Sequence, residues 1–105
     1  MNQLIRISKI LEIEPFKITI LWNNGEVRIV DFNNFFEGWV QSNNEHLLKL
    51  MDWEIFKNAS VSTEPPRTIQ WINLTQTITW KGDSKSFPTE LDADALFKES
   101  ALTPK

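Results

Sequence analysis

Phe16-Lys17-Ile18-Thr19-Ile20-Leu21-Trp22, Asn23-Asn24-Gly25-Glu26 and Val27-Arg28-Ile29-Val30-Asp31-Phe32 follow one another in the chain. Two alternating apolar runs flank an Asn-Gly pair. This is the strongest short-range signal for a β-hairpin, because a type I′ turn needs positive φ at both central residues. With Asn24-Gly25 at the turn centre, Trp22 is expected opposite Val27, Ile20 opposite Ile29 and Ile18 opposite Asp31. Side chains alternate along a strand. Phe16, Ile18, Ile20 and Trp22 would therefore share a face with Val27 and Ile29, while Lys17, Thr19 and Arg28 point the other way. The stretch is a well-specified piece of sheet and not a chemical site.

Before it, Leu4 to Ile13 reads as a first strand with Ile5, Ile7, Leu11 and Ile13 on one face. A bulge near Ser8-Lys9 would bring Ile10 into that face instead. Pro15 cannot donate to a ladder and belongs at a junction. After the hairpin, Asn33-Asn34 is an expected helix N-cap, followed by Phe35, Phe36, Trp39 and Val40 at helical spacing. Leu47, Leu48 and Met51 suggest a second short helical piece. Asp52 is placed to cap a final turn carrying Trp53, Ile55 and Phe56. A modest strand over residues 58–63 and a stiff Glu64-Pro65-Pro66-Arg67 connector come next. Ile69-Gln70-Trp71 and Ile78-Thr79-Trp80 then mark two strands, 67–73 and 75–81, with one long bent strand as the alternative. Lys81 to Lys85 is read as a polar turn, and Thr89 to Ser100 as a terminal helix with Leu91, Ala95, Leu96 and Leu102 facing the sheet. The expected class is α+β, a small and mainly antiparallel sheet of about five or six strands with two or three short helices.

The 105 residues suit a single domain over 1–102, with a frayed tail at 103–105. Five Trp and seven Phe supply large side chains for its core. A net charge of −3, with basic residues scattered, opposes phosphate binding, so no nucleic-acid partner is expected. The absence of cysteine and the single histidine exclude disulfides, thiolate sites and a multi-histidine metal centre within the chain. Three glycines cannot build a phosphate loop. No apolar run approaches ~18 residues, and the first residues lack a signal-peptide layout; a cytoplasmic protein without a membrane partner is the expectation. No catalytic residue, metal or cofactor is expected.

Trp22, Gly25 and Asp31 in the hairpin, Leu50, Asp52 and Phe56 after a short helix, an Ile-x-Trp strand and the closing Leu96-Phe97 together resemble a family of small bacterial domains of unknown function, the one numbered 2442. The resemblance spans nearly the whole chain. It implies an α+β sheet domain with no established activity. Some members sit beside genes that look like toxin–antitoxin partners, which implies protein binding.

The candidate side chains each have a structural alternative. In the expected register Asp31 shares the face of Ile18 and Ile29, where a charge is costly. It reads either as a ligand-binding acid or, preferably, as the cap of the following helix. Asp52 and Glu54, two residues apart, do not face one another on a helix and read as helix-start acids. Asp92 and Asp94 read likewise. His46 is expected on a solvent-facing helix surface. Trp22 and Trp53 read as core. Trp39, Trp71 and Trp80 divide evenly between core and contact with a ligand or partner.

Two functions follow from these residues. The first is a non-enzymatic module that binds another protein, or itself, through an aromatic patch or an exposed strand edge near 67–81, with a toxin-like protein as the partner that the family context implies. The alternative is small-ligand binding in a pocket lined by Trp39, Trp53 and Trp71 with Asp31 as its polar group.

Overall fold

The computed structural model describes residues 5–62 and 68–102. It is a small α+β fold with two antiparallel sheets, one of four strands and one of three. The single sheet expected from the sequence is thus divided, and the strands number seven among the described residues. The Glu64–Arg67 connector, Leu4 and the 103–105 tail lie outside the described residues.

The first sheet runs in the order β1 (Ile7–Glu14), β2 (Lys17–Trp22), β3 (Val27–Asp31) and β7 (Ser100–Leu102). The β2–β3 hairpin forms, with a one-residue correction to its register. Leu21 pairs with Val27, Ile20 with Arg28, Thr19 with Ile29 and Ile18 with Val30. The loop is Asn23-Asn24-Gly25. The Gly25 amide donates to the Trp22 carbonyl at 3.0 Å, the Trp22 amide donates to the Glu26 carbonyl at 2.9 Å, and Gly25 alone in the loop has positive φ, at 86°. That is a turn closed by a left-handed glycine, the three-residue alternative to the type I′ loop. Moving a register by one residue turns every side chain of one strand over. Ile18, Ile20 and Trp22 are buried as expected, but their inward neighbours on β3 are Arg28 and Val30, while Val27 and Ile29 lie on the other face.

β1 shows how apolar residues spaced by three fit a period of two. Register shifts fall between Ile7 and Lys9 and between Ile10 and Glu12. With these irregularities Ile7 lies opposite Trp22, Ile10 opposite Ile20, and Ile13 opposite Ile18. Leu11, expected inside, is 46% exposed at the second shift. Glu14 pairs with Lys17, so Pro15-Phe16 alone makes the corner into β2. Phe16 there has φ of 66°, a rare conformation for a bulky residue. Its ring packs edge-on at 5.4 Å against both Phe36 and Phe56, and its carbonyl accepts the Phe32 amide at 2.8 Å.

Among the described residues four short α-helices cover the sheets: α1 (Asn33–Gln41), α2 (Glu45–Leu48), α3 (Trp53–Phe56) and α4 (Ala93–Lys98), with a 3-10 turn at Lys49–Met51 between α2 and α3. Asn44 and Asp52 accept amides at the starts of α2 and α3, satisfying donors that a helix leaves unpaired. The N-cap of α1 is Phe32, not Asn33 or Asn34, and has no side-chain cap bond. Leu50 rather than Met51 enters the core after α2. α4 begins later than expected and is flanked by strands. Leu96 is buried in it, whereas Leu102 is exposed on β7. Phe32, Phe36, Phe56 and Trp71 form the aromatic centre, with Phe32 within 6.4 Å of each of the others.

The second sheet has the order β4 (Ser60–Val61), β5 (Ile69–Trp80) and β6 (Asp83–Leu91). β5 is one long strand in place of the two, 67–73 and 75–81, that the sequence favours, its irregular segment bending it without ending it. β6 occupies residues expected to be turn and helix. Its sequence is polar because most of it packs on nothing.

Candidate functional site

The ribbon of β5 and β6 has two halves. In the proximal half, Ile69, Gln70 and Trp71 pair with Leu91, Glu90 and Thr89. Ile69, Trp71 and Thr89 are buried, and the Trp71 indole donates to the Phe56 carbonyl at 3.0 Å. The register then jumps, so that the next pair is Thr75 with Pro88. Ile72, Asn73 and Leu74 form the irregular segment. Leu74 turns back into the core and Ile72 is 63% exposed. A bulge of this kind bends a strand and raises its twist.

Past that bend the ribbon leaves the body of the protein. Thr75, Gln76, Thr77, Thr79, Trp80 and residues 81–87 are all exposed. The tip is Lys81-Gly82, with Trp80 paired to Asp83 and φ of 51° and 86° at the two loop residues. The type I′ geometry expected at Asn24-Gly25 is found here instead. Thr77 and Thr79 lie 3.2 and 3.1 Å, oxygen to oxygen, from Ser86 and Ser84, as a row of cross-strand hydroxyl pairs. Trp80, Asp83, Lys85 and Phe87 line an open groove. Trp80 is 71% exposed, with the Lys81 ammonium 5.9 Å from its ring centre. An aromatic side chain with one acid and one base beside it can bury apolar surface against another chain while forming ion pairs at the margin.

The four residues singled out from sequence are not gathered at one place. Trp80 stands at the ribbon tip. Trp71 is fully buried and offers no surface to a ligand or partner. Trp39, half-buried on α1, stacks on Phe35 at 5.5 Å. Asp31 accepts the Asn33 amide at 3.0 Å and the Asn33 side-chain amide at 2.9 Å, holding the start of α1. His46, expected in solvent, is half-buried, and its Nε2 lies 2.7 Å from the hydroxyl of buried Thr89, tying α2 to β6. Among the described residues no group of three acidic or histidine side chains is placed to hold a metal ion, and no helix is long and apolar enough to cross a membrane.

No family model, curated protein or solved structure matches this chain. Phe87 and the β6 edge were missed in the sequence. Their signal was Lys81-Gly82 itself, a glycine turn between segments able to pair residue for residue.

Electrostatics elsewhere are structural. Arg28, on the inner face of β3 with its side chain 19% exposed, places its guanidinium 4.1 Å from the Phe97 ring centre. Its Nε and Nη2 donate to Glu26 Oε1 at 3.1 and 3.0 Å. The Asn24 side-chain amide, donating to the same oxygen at 2.9 Å, and then Arg28 hold the Glu26 carboxyl below the usual glutamate range.

Proposed function

We propose that this domain is a non-enzymatic protein-interaction module and that the β5–β6 ribbon is the part it presents to another chain. The observation behind the proposal is the exposure of Trp80 and Phe87 on a projecting hairpin that contributes little to the core. Clustered exposed aromatic surface is a mark of interaction sites, and tryptophan is enriched among residues that dominate binding energy. The resemblance to the family numbered 2442 supports a toxin-like protein as a partner.

The test uses the whole chain as bait and compares it with the Trp80→Ala/Phe87→Ala double variant. Both side chains are exposed, so the variant should unfold at an unchanged denaturant midpoint. Loss of the captured protein with the fold retained is the expected result. Identical capture by both proteins would exclude the ribbon face as the binding surface.

A further inference from the structure

The sheet edges differ in how they are guarded. An unpaired strand edge invites another strand, and proteins blunt such edges with bulges, charges, proline or shortness. β1 has two register shifts and carries Lys9, Glu12 and Glu14. β7 has three residues and β4 two. β6 carries Asp83, Lys85, Pro88 and Glu90. β5 has none of these protections over its outer half. Its 12 residues, Ile69-Gln70-Trp71-Ile72-Asn73-Leu74-Thr75-Gln76-Thr77-Ile78-Thr79-Trp80, include no charge, no proline and no glycine. Among the described residues, β4 covers it only at Ile69 and Gln70.

The turn fixes which backbone groups are free. Trp80 and Asp83 flank a two-residue loop and form a hydrogen-bonded pair, so the next such pairs are Ile78 with Lys85 and Gln76 with Phe87. The alternate residues Thr75, Thr77 and Thr79 direct their N–H and C=O groups outward. Pro88, opposite Thr75, is likewise at an outward position where its missing N–H is not needed.

We infer that the outer edge of β5 pairs antiparallel with the same edge of a second copy of this chain, which rests on the ribbon being the interaction surface. The outward residues form the palindrome Thr-x-Thr-x-Thr. A two-fold axis through Thr77 sets Thr77 opposite its own mate, and Thr75 opposite Thr79 of the other copy twice. This register engages all three threonines of each copy and opposes no like charges, as a self-complementary interface requires. Threonine is favoured opposite threonine across strands. The hydroxyl row of Ser86–Thr77 and Ser84–Thr79 then continues across both copies. Pairing consumes both unguarded edges and leaves the guarded β6 edges outside, so assembly stops at two. The contact is smaller than the ~800 Å² per partner of a standard interface, so the dimer is weak and concentration-dependent.

The experiment is sedimentation equilibrium from micromolar to millimolar protein, with amide exchange read at both ends of the range. The wild-type chain should pass from monomer to dimer, with slowed exchange at Thr75, Thr77 and Thr79. Thr77→Lys and Thr77→Glu each put a charge against its own copy and should weaken the dimer by at least about tenfold. An equimolar mixture of the two variants should restore it. A wild-type monomer throughout the range, growth beyond two copies, or dimerisation indifferent to both variants would overturn the inference. A monomer that still loses its captured partner in the Trp80→Ala/Phe87→Ala variant removes self-pairing alone. A monomer whose capture is indifferent to that variant removes the ribbon reading with it.

Discussion

Trp22 and Trp71 are equally buried yet held differently. The Trp71 indole N–H reaches the Phe56 carbonyl, whereas the Trp22 Nε1 has no hydrogen-bond partner among the described residues and its ring meets Phe97 edge-on at 5.0 Å. Trp71→Phe removes that bond while the Phe56 carbonyl keeps the Ala59 amide at 3.2 Å, so it should cost about 0.5–1.5 kcal/mol more than Trp22→Phe in denaturant unfolding. A second residue-scale prediction concerns acid. The Glu26 carboxyl titrates below its reference value of 4.5 in the folded chain, so its contribution is complete above that value and is lost as the pH falls through the lowered one. Glu26→Gln should therefore be less stable than the wild type at neutral pH. The gap should close in acid, as followed by denaturant midpoints across the pH range.

Elements show where sequence reading succeeds. Apolar alternation in Ile18, Ile20 and Trp22 identified the buried face of β2, and Asp52 identified the start of α3, because both signals are local. The face of β3 was assigned wrongly because it depends on one loop residue: Asn23-Asn24-Gly25 closes as three residues where Asn-Gly could have closed as two. β6 and β7 were missed because strands whose residues are mostly exposed show no apolar alternation. Asp31 was expected as the cap of α1 and instead binds Asn33 from outside the N-cap position, which Phe32 occupies, while the burial of Trp71 depended on long-range packing that spacing does not encode. β1 supplies the test of its own two shifts. Ile7→Ala, at a fully buried position, should cost ~2–5 kcal/mol, and Leu11→Thr should stay within ~0.5 kcal/mol, as measured by unfolding free energies. Equal costs would mean that the strand runs without its second bulge.

At the scale of the molecule, the long axis measures 50 Å against 31 and 23 Å, and the radius of gyration is 14.5 Å. A compact chain of this length is expected near 13 Å. Joining Leu74 to Pro88 through a short turn, with residues 75–87 removed, should lower the solution radius of gyration toward that value by X-ray scattering. The unfolding free energy should change by less than about 1 kcal/mol, because the removed side chains are solvated. A large loss of stability would show the ribbon to be part of the core after all.

The Pro15-Phe16 and Lys81-Gly82 loops are both two residues long and differ in what they would accept. The first pins a ring between Phe36 and Phe56, so a peptide spliced there would pull that ring from its seat. The second is surrounded by solvent-facing residues. It is therefore the natural graft point for an epitope or a fluorophore, and the place where a circularly permuted chain could begin and end with its interior undisturbed.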